Sequence, residues 1–234
     1  MKDLFGQALL DYQRGNYTDD LQTETSISEI DVLPLPYLFR SYSEMPLIEQ
    51  TALNLSFGKV LDVGCGAGSH ALYLQKKGLW VMAIDKSPGA VTVASERGIQ
   101  NVALTELLQL QHKKFDTILL LMNGIGIFES LERLPDYLEK LKELLNPGGQ
   151  VLADSSDLIY MYDRCENGGV IVPGDRYYGQ LDYTVHYKGE SEESFPWLYL
   201  DSKLFEELAS EAGFQFEIVC EGEHYDYLCR LSPG

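Results

Sequence analysis

The chain has 234 residues, of which 45% are hydrophobic, so it can bury one substantial core but hardly a second full domain. The 36 acidic residues outnumber 18 basic ones, and the resulting net charge of -18 repels a phosphate backbone, which argues against a nucleic-acid partner. The apolar runs are far shorter than the about 20 residues that cross a bilayer, so we expect no membrane insertion.

Four cysteines show neither a C-x-x-C pair nor a histidine at zinc-finger spacing: Cys65, Cys165, Cys220 and Cys229. We therefore expect reduced thiols and no bound metal. The start of the chain, Met1-Lys2-Asp3, lacks the apolar centre of a signal peptide. Together these features predict a cytoplasmic protein.

The first 45 residues are predicted to lie outside the central sheet. Apolar positions predict a helix over Phe5 to Tyr12, which a polar stretch from Gln13 to Glu29 follows. Pro34-Leu35-Pro36 forces extended backbone, and Tyr37, Leu38, Arg40 and Tyr42 come next. Pro46 then starts an amphipathic helix.

The segment from Lys59 to Ser69 predicts a buried strand that ends in a glycine turn. Asp62 interrupts its apolar run, and Gly64, Gly66 and Gly68 follow at every second position. Glycines let the backbone approach a ligand, and the next helix offers free N–H groups at its first turn. The NAD fingerprint G-x-G-x-x-G needs a third glycine at position 69, where Ser69 stands, which counts against a dinucleotide.

A second predicted strand, Leu79 to Ile84, ends at Asp85. This aspartate follows the first glycine by about 20 residues, where a carboxylate can accept hydrogen bonds from both ribose hydroxyls. The simpler interpretation is a polar residue that ends a strand. Ser87-Pro88 predicts the start of the next helix, with serine as N-cap.

The remaining chain alternates strands and helices and then changes pattern. Strands are predicted over Asn101 to Leu104, Phe115 to Met122 and Gln150 to Asp154, with helices over Ala90 to Arg97 and Pro135 to Leu145. The alternation indicates a parallel sheet. In the later part, alternation around Leu181 to Tyr187 predicts an inserted antiparallel strand, a helix follows Asp201-Ser202, and Phe214 to Cys220 and His224 to Leu231 form a hairpin.

The pattern Asp-x-Gly-x-Gly-x-Gly from Asp62, the acid at Asp85 and the run Leu145-Asn146-Pro147-Gly148-Gly149 resemble class I S-adenosylmethionine (SAM) dependent methyltransferases. The resemblance implies a three-layer, Rossmann-like α/β fold with a mainly parallel seven-stranded sheet and an antiparallel C-terminal hairpin. It also implies an N-terminal helical lid in residues 1–45 and a methyltransferase domain in 46–234, with an inserted β-hairpin in 156–199.

The same resemblance implies SAM as cofactor and assigns its contacts. The acid of the first motif and its glycine turn hold the methionine part, Asp85 the ribose, and Glu106 the adenine amino group. Arg40 could pair with the SAM carboxylate or form a surface salt bridge, and Glu106 could be a solvated loop acid. The full set is Arg40, Asp62, Gly64, Cys65, Gly66, Gly68, Asp85, Lys86, Glu106, Leu107, Met122 and Asn123.

The predicted reaction is in-line methyl transfer to a small-molecule acceptor. Because the sulfonium methyl is already activated, a side-chain base is optional. If a base is used, His224, Tyr225, Asp226 or Tyr42 could accept the proton, with His186 a weaker candidate. A nucleophilic Cys65 is disfavoured because no base lies near it in sequence. The alternatives are a protein that binds SAM or S-adenosylhomocysteine (SAH) without catalysis, and an NAD-dependent oxidoreductase.

Overall fold

The computed structural model describes residues 2–165, 167 and 169–234, so Met1, Glu166 and Gly168 of the predicted lid and insertion lie outside the described residues. The N-terminal part confirms both predicted helices. It also contains a hairpin that begins in the polar stretch and ends at Leu33, which the sequence does not predict. Its elements are α1 (Leu4–Gln13), β1 (Leu21–Thr25), β2 (Ser28–Leu33), α2 (Leu35–Leu38) and α3 (Leu47–Leu55).

The middle of the chain alternates strands and helices as predicted. Strand interiors are almost wholly buried, which is the pattern of parallel strands covered on both faces. The elements are β3 (Lys59–Val63), α4 (Ser69–Lys76), β4 (Trp80–Asp85), α5 (Pro88–Glu96), β5 (Val102–Leu104), β6 (Phe115–Leu120), α6 (Leu134–Leu144) and β7 (Leu145–Ser156).

The last part supplies the inserted strands and the closing hairpin. Asp201 caps its helix by accepting a hydrogen bond from the Leu204 N–H group. The elements are β8 (Gln180–Tyr187), β9 (Glu190–Ser191), β10 (Phe195–Leu198), α7 (Ser202–Glu211), β11 (Phe214–Glu221) and β12 (Asp226–Pro233).

The central sheet has seven strands in the order β11-β12-β7-β6-β3-β4-β5; β12 is antiparallel to both β11 and β7, and the other pairs are parallel. This confirms the predicted three-layer α/β fold with its antiparallel C-terminal hairpin. Chain order reverses between β3 and β6. In open α/β sheets, the crevice at the carboxyl ends of strands beside such a reversal is where ligands bind.

A second sheet, in the order β10-β8-β1-β2 with β9 paired to β8, joins the N-terminal hairpin to the insertion. Of the eleven residues of β1 and β2, only Leu21 is fully buried. Apolar burial therefore contributes little to this hairpin, and the pairing of β1 with β8 holds it in place.

Helix α1 packs against α5 through two glycines. A Cβ added at Gly89 would lie 2.4 Å from the backbone carbon of Gly6, so the helices approach more closely than any side chain permits. Asp3 connects the starts of both helices. Its carboxylate accepts hydrogen bonds from the Gly6 N–H, the Ser87 hydroxyl and the Gly89 N–H, each at 2.9 Å. Helix α1 is thus held directly beside Asp85.

We expect Gly89→Ala to lower the free energy of unfolding by about 1–3 kcal/mol, because the added methyl group forces α1 away from α5. Alanine favours a helix interior over glycine, so an effect of this sign requires the close contact. Urea denaturation measures it. Gly174→Ala is the control, since an added Cβ meets nothing within 4 Å there. Equal stability of G89A and the wild type would contradict the packing.

Candidate functional site

The glycine turn after β3 has the backbone conformation that its sequence predicts. Gly64, Gly66 and Gly68 have φ values of 69°, 51° and 78°, all in the left-handed region where glycine is favoured. The N–H groups of Gly64 and Cys65 both donate to the carbonyl of Ile84, at 2.9 and 3.0 Å. The turn is therefore anchored to the end of the neighbouring strand β4.

Asp85 joins this turn to the start of α5. Its two carboxylate oxygens accept the N–H groups of Gly66 and Ser87, both at 2.9 Å. Burial raises the pKa of Asp85, and the hydrogen bonds from Ser87 and Gly66 oppose that effect. The structure thus brings together the two features that the sequence singled out, with the acid in direct contact with the turn.

Asp62 lies at the base of the same crevice and is only 2% exposed. Its Oδ2 atom has no hydrogen-bond partner among the described residues, and burial raises the pKa of this carboxyl group. A buried oxygen without a partner is costly unless a ligand supplies one. Beside it, a Cβ added at Gly66 would meet only the Phe5 ring, at 3.7 Å, which leaves room for a ligand along the backbone.

Cover over the turn comes from two other parts of the chain. Phe5 of α1 lies over Gly66, and Ile127 lies so near Gly64 that an added Cβ would be 2.9 Å from its Cδ1 atom. Ile127 lies in a short segment that packs against Trp197 of β10. The Trp197 ring lies so close to Gly126 that it occupies the space a Cβ atom would need there. Both sheets therefore contribute to this crevice.

The end of β6 is held by an aspartate that the sequence analysis does not single out. Met122 and Asn123 both have left-handed backbone, with φ of 63° and 55°. Asp154, at the end of β7, accepts the N–H groups of Met122 at 3.1 Å and of Gly124 at 3.3 Å. Burial raises the pKa of Asp154 to about 7. Its place near the carboxyl end of an apolar strand, as for Asp85, is the signal that the sequence offers.

Arg40 forms a salt bridge, but a buried one rather than one at the surface. Its guanidinium bonds Glu49 of α3 and stacks on the Tyr37 ring at 3.8 Å, while its Nε atom has no partner among the described residues. Glu49 also bonds His70 Nε2 of α4 at 2.6 Å. Burial raises the pKa of Glu49, but the bonds to His70 and Arg40 more than offset this and leave it below its usual value. The cluster connects the N-terminal segment to the helix after the glycine turn.

The remaining predicted cofactor residues differ in exposure. Glu106 is exposed just after β5, whereas Leu107 is buried. Lys86 is exposed, and its Nζ lies 5.0 Å from the centre of the Phe195 ring. Cys65 is buried, which raises the pKa of its thiol well above the usual value and disfavours a reactive thiolate.

The predicted base candidates are spread over the fold. His224 is exposed in the turn between β11 and β12, and the Tyr225 ring, 63% exposed, stacks on Tyr160 at 4.8 Å. Tyr42 accepts a hydrogen bond from Asn54 and stacks on Tyr73 of α4 at 4.1 Å.

His186 lies in the second sheet and bonds Ser191 through Nδ1 at 2.8 Å. Asp226 accepts the His224 N–H at 2.9 Å. The register pairs Asp226 with Ser156 of β7, so the turn after β11 lies at the same edge of the sheet as Asp154.

Comparison with known proteins agrees with this geometry. A sequence model for a methyltransferase domain matches residues 60–149, which run from β3 to the start of β7. A SAM-dependent methyltransferase from Bacteroides fragilis, solved in complex with SAH, superposes with a TM-score of 0.92 at 41% identity, over 100% of this chain and 95% of that one. The chain belongs to the class I SAM-dependent methyltransferases.

Curated relatives of this methyltransferase match over a shorter region. A ubiquinone biosynthesis O-methyltransferase from Xylella fastidiosa (strain 9a5c) is 33% identical over 112 residues, which is 43% of each chain. A tRNA U34 carboxymethyltransferase from Idiomarina loihiensis is 29% identical over 137 residues, or 53% of this chain and 39% of that protein. The methyltransferase thus matches less than half the length of these relatives.

SAM is the cofactor of this family, and the crevice of the methyltransferase fits it: a glycine cradle, a buried carboxylate beside it and an orphaned oxygen at its base. Among the described residues, no three His, Cys, Asp or Glu side chains are grouped so that they could hold a metal ion. No helix in the described part of the chain is both long and apolar enough to cross a membrane.

Proposed function

We propose that this protein transfers the methyl group of SAM to a small-molecule acceptor. The observation that carries the proposal is the Asp85 carboxylate bonded to the Gly66 N–H at the carboxyl ends of β3 and β4. That arrangement supports Asp85 as the ribose acceptor, because it lies next to a backbone that a ligand can approach closely, beside the point where strand order reverses.

In this proposal each part of the crevice holds one part of the cofactor. Asp85 accepts the ribose hydroxyls with Lys86 beside it, Glu106 and Leu107 border the adenine, and the Gly64–Gly68 turn with Asp62 and Cys65 holds the methionine part. Met122, Asn123 and Arg40 lie at the far end of the methionine part. SAM supplies an activated methyl group on sulfur. The chain's residues orient the acceptor toward that methyl and exclude water, with Phe5 and Ile127 as cover.

Two features support a small acceptor: the negative net charge of the chain and the segments that pack over the crevice. The net charge of -18 repels nucleic acid, although one curated relative is named for tRNA. Phe5 of α1 and Trp197 of the second sheet pack on the turns that follow β3 and β6, where a polymer substrate would need open surface. His224 and Tyr225 lie in the turn at the edge of the sheet that includes Asp154, and this position favours them over Tyr42 as proton acceptors.

Two further predictions accompany the proposal. The four free cysteines support a cytoplasmic location. The division into a lid, residues 1–45, and a catalytic domain, residues 46–234 with an insertion at 156–199, stays a prediction. The pairing of β1 with β8 favours treating lid and insertion as one layer.

The test combines binding with turnover. We expect calorimetry to detect binding of SAM and SAH to the folded protein, and radiolabelled SAM to yield a methylated small molecule from a metabolite extract. A filter assay with bulk tRNA is the comparison, and label retained there would replace the small-molecule acceptor by RNA. Binding without any turnover would favour the non-catalytic alternative, and absence of binding would refute both.

A further inference from the structure

The carboxyl ends of the parallel strands carry more buried negative charge than the chain itself neutralises. Four carboxylates lie within or beside the crevice, and each is no more than 9% exposed: Glu49, Asp62, Asp85 and Asp154. Arg40 and His70 are the basic groups bonded to this set, and both bond Glu49. In the described part of the chain, the donors to the other three carboxylates are backbone N–H groups, and the Oδ2 atom of Asp62 has none.

These three carboxylates differ in the hydrogen-bond donors that they have. Asp85 has two backbone donors at 2.9 Å and faces the proposed ribose. Asp154 has weaker ones, at 3.1 and 3.3 Å, and lies two strands away from Asp62. A buried carboxylate without strong donors or a cation is costly, so it either takes up a proton or binds a positive ligand group.

Strand order indicates which part of the cofactor reaches Asp154. The sequence β7-β6-β3-β4 places Asp154 at one end, the glycine turn in the middle and Asp85 at the other end. With the ribose at Asp85 and the methionine part along the turn, the amino acid end of the cofactor points toward β6 and β7. Arg40 and Asp154 both lie near Tyr37, and their opposite charges shift the pKa of its hydroxyl in opposite directions.

Resting on the function proposed above, we propose that Asp154 is a positioning residue that binds the ammonium group of SAM and SAH, and that binding expels a proton from its carboxyl group into the solvent. The Nε atom of Arg40, which has no partner among the described residues, then binds the carboxylate of the same amino acid while the guanidinium stays paired with Glu49. Asp154 also holds the left-handed turn at Met122 and Asn123, which places the ammonium group against the end of β6.

The environment of Asp154 is consistent with this coupling. Burial raises its pKa to about 7, Glu49 adds to the rise and His70 opposes it. The titratable groups around it come from five segments: Tyr37 of α2, Glu49 of α3, His70 of α4, Tyr199 after β10 and Cys229 of β12. Burial also raises the pKa of the two tyrosines and the thiol, so these three stay protonated near pH 7 and do not contribute to the release.

Titration calorimetry of the whole protein in two buffers of different ionisation enthalpy counts the protons released. A group with a pKa of about 7 is half protonated at pH 7, so we expect SAH to release about 0.5 proton at pH 7, and less at pH 8 than at pH 6. Because only the ionised form binds well, SAH affinity is expected to be about tenfold weaker at pH 6 than at pH 8. 5′-Methylthioadenosine, which lacks the amino acid, should show neither effect.

Asp154→Asn removes the titrating group, so it is expected to bind SAH without proton release or pH dependence. Asp116→Asn, at the opposite end of β6, is the matched control and should keep both. Wild-type SAH binding without proton release, or equal release with 5′-methylthioadenosine, would overturn the role of Asp154 and leave the proposed function intact. A wild-type protein that binds no SAH would overturn both. The wild-type comparison stands even if D154N fails to fold.

Discussion

Replacing Glu49 with glutamine is expected to lower the free energy of unfolding by about 3–5 kcal/mol, the cost of breaking a buried ion pair by removing one partner. Glu49 and Arg40 side chains are each 4% exposed, and the same carboxylate bonds His70 at 2.6 Å. The neutral amide leaves the guanidinium buried without a counter-charge. Denaturant unfolding monitored by circular dichroism measures the loss.

Glu143→Gln is the control for this prediction, because Glu143 pairs with Lys140 at 2.7 Å while 55% exposed. Exposed pairs contribute about 0–1 kcal/mol, so this variant should remain close to wild type. The pKa of Glu49 is lowered in the folded state, so its contribution is present above the unfolded pKa and is lost as pH falls through the folded pKa. The difference in free energy of unfolding between wild type and E49Q should therefore become smaller as the pH falls. Equal losses in E49Q and E143Q would contradict the buried network.

Asp85→Ala is expected to weaken SAH binding by about 10- to 150-fold, which corresponds to the 1.5–3 kcal/mol of hydrogen bonds to a charged group. The loss has two sources. The ribose loses its acceptor, and the Gly66 N–H loses the bond that fixes the glycine turn. Isothermal calorimetry with SAH measures the change directly, with no need to know the methyl acceptor.

A matched carboxylate at the other end of the sheet separates binding from stability. Asp116 accepts the Lys59 N–H at 2.6 Å and the Asn146 side chain at 2.8 Å, so Asp116→Ala also removes a backbone acceptor from a strand end. This variant is expected to lose stability but to bind SAH as the wild type does. Unchanged affinity in folded D85A, or an equal loss of affinity in D116A, would remove Asp85 from the site.

Local signals account for the parts of the fold that the sequence predicts well. Gly64, Gly66 and Gly68 all need positive φ, which glycine tolerates best, and Ser87 and Asp201 cap helices within three residues of themselves. Buried apolar runs mark β3, β4 and β6 because both faces of a parallel strand are covered. Each of these features is decided by neighbours along the chain, so each is legible in the printed sequence.

Other features depend on residues far apart in sequence. Strands β1 and β2 bury almost no apolar side chains, and their hairpin is held by the pairing of β1 with β8, more than 150 residues later. The placement of α1 beside Asp85 requires Gly6 to meet Gly89, which no spacing rule indicates. The sequence consequently indicates helices in the N-terminal segment but not the hairpin between them.

The sequence by itself determined the central sheet, its glycine turn and the acid at Asp85, because turn conformation, helix capping and burial on both faces act over a few neighbouring residues. Only the tertiary structure decided that Arg40 pairs with Glu49, that Glu49 also bonds His70, and that Asp154 holds the end of β6. Those groups come from separate elements, and the burial that sets their charges exists only once the elements have packed together.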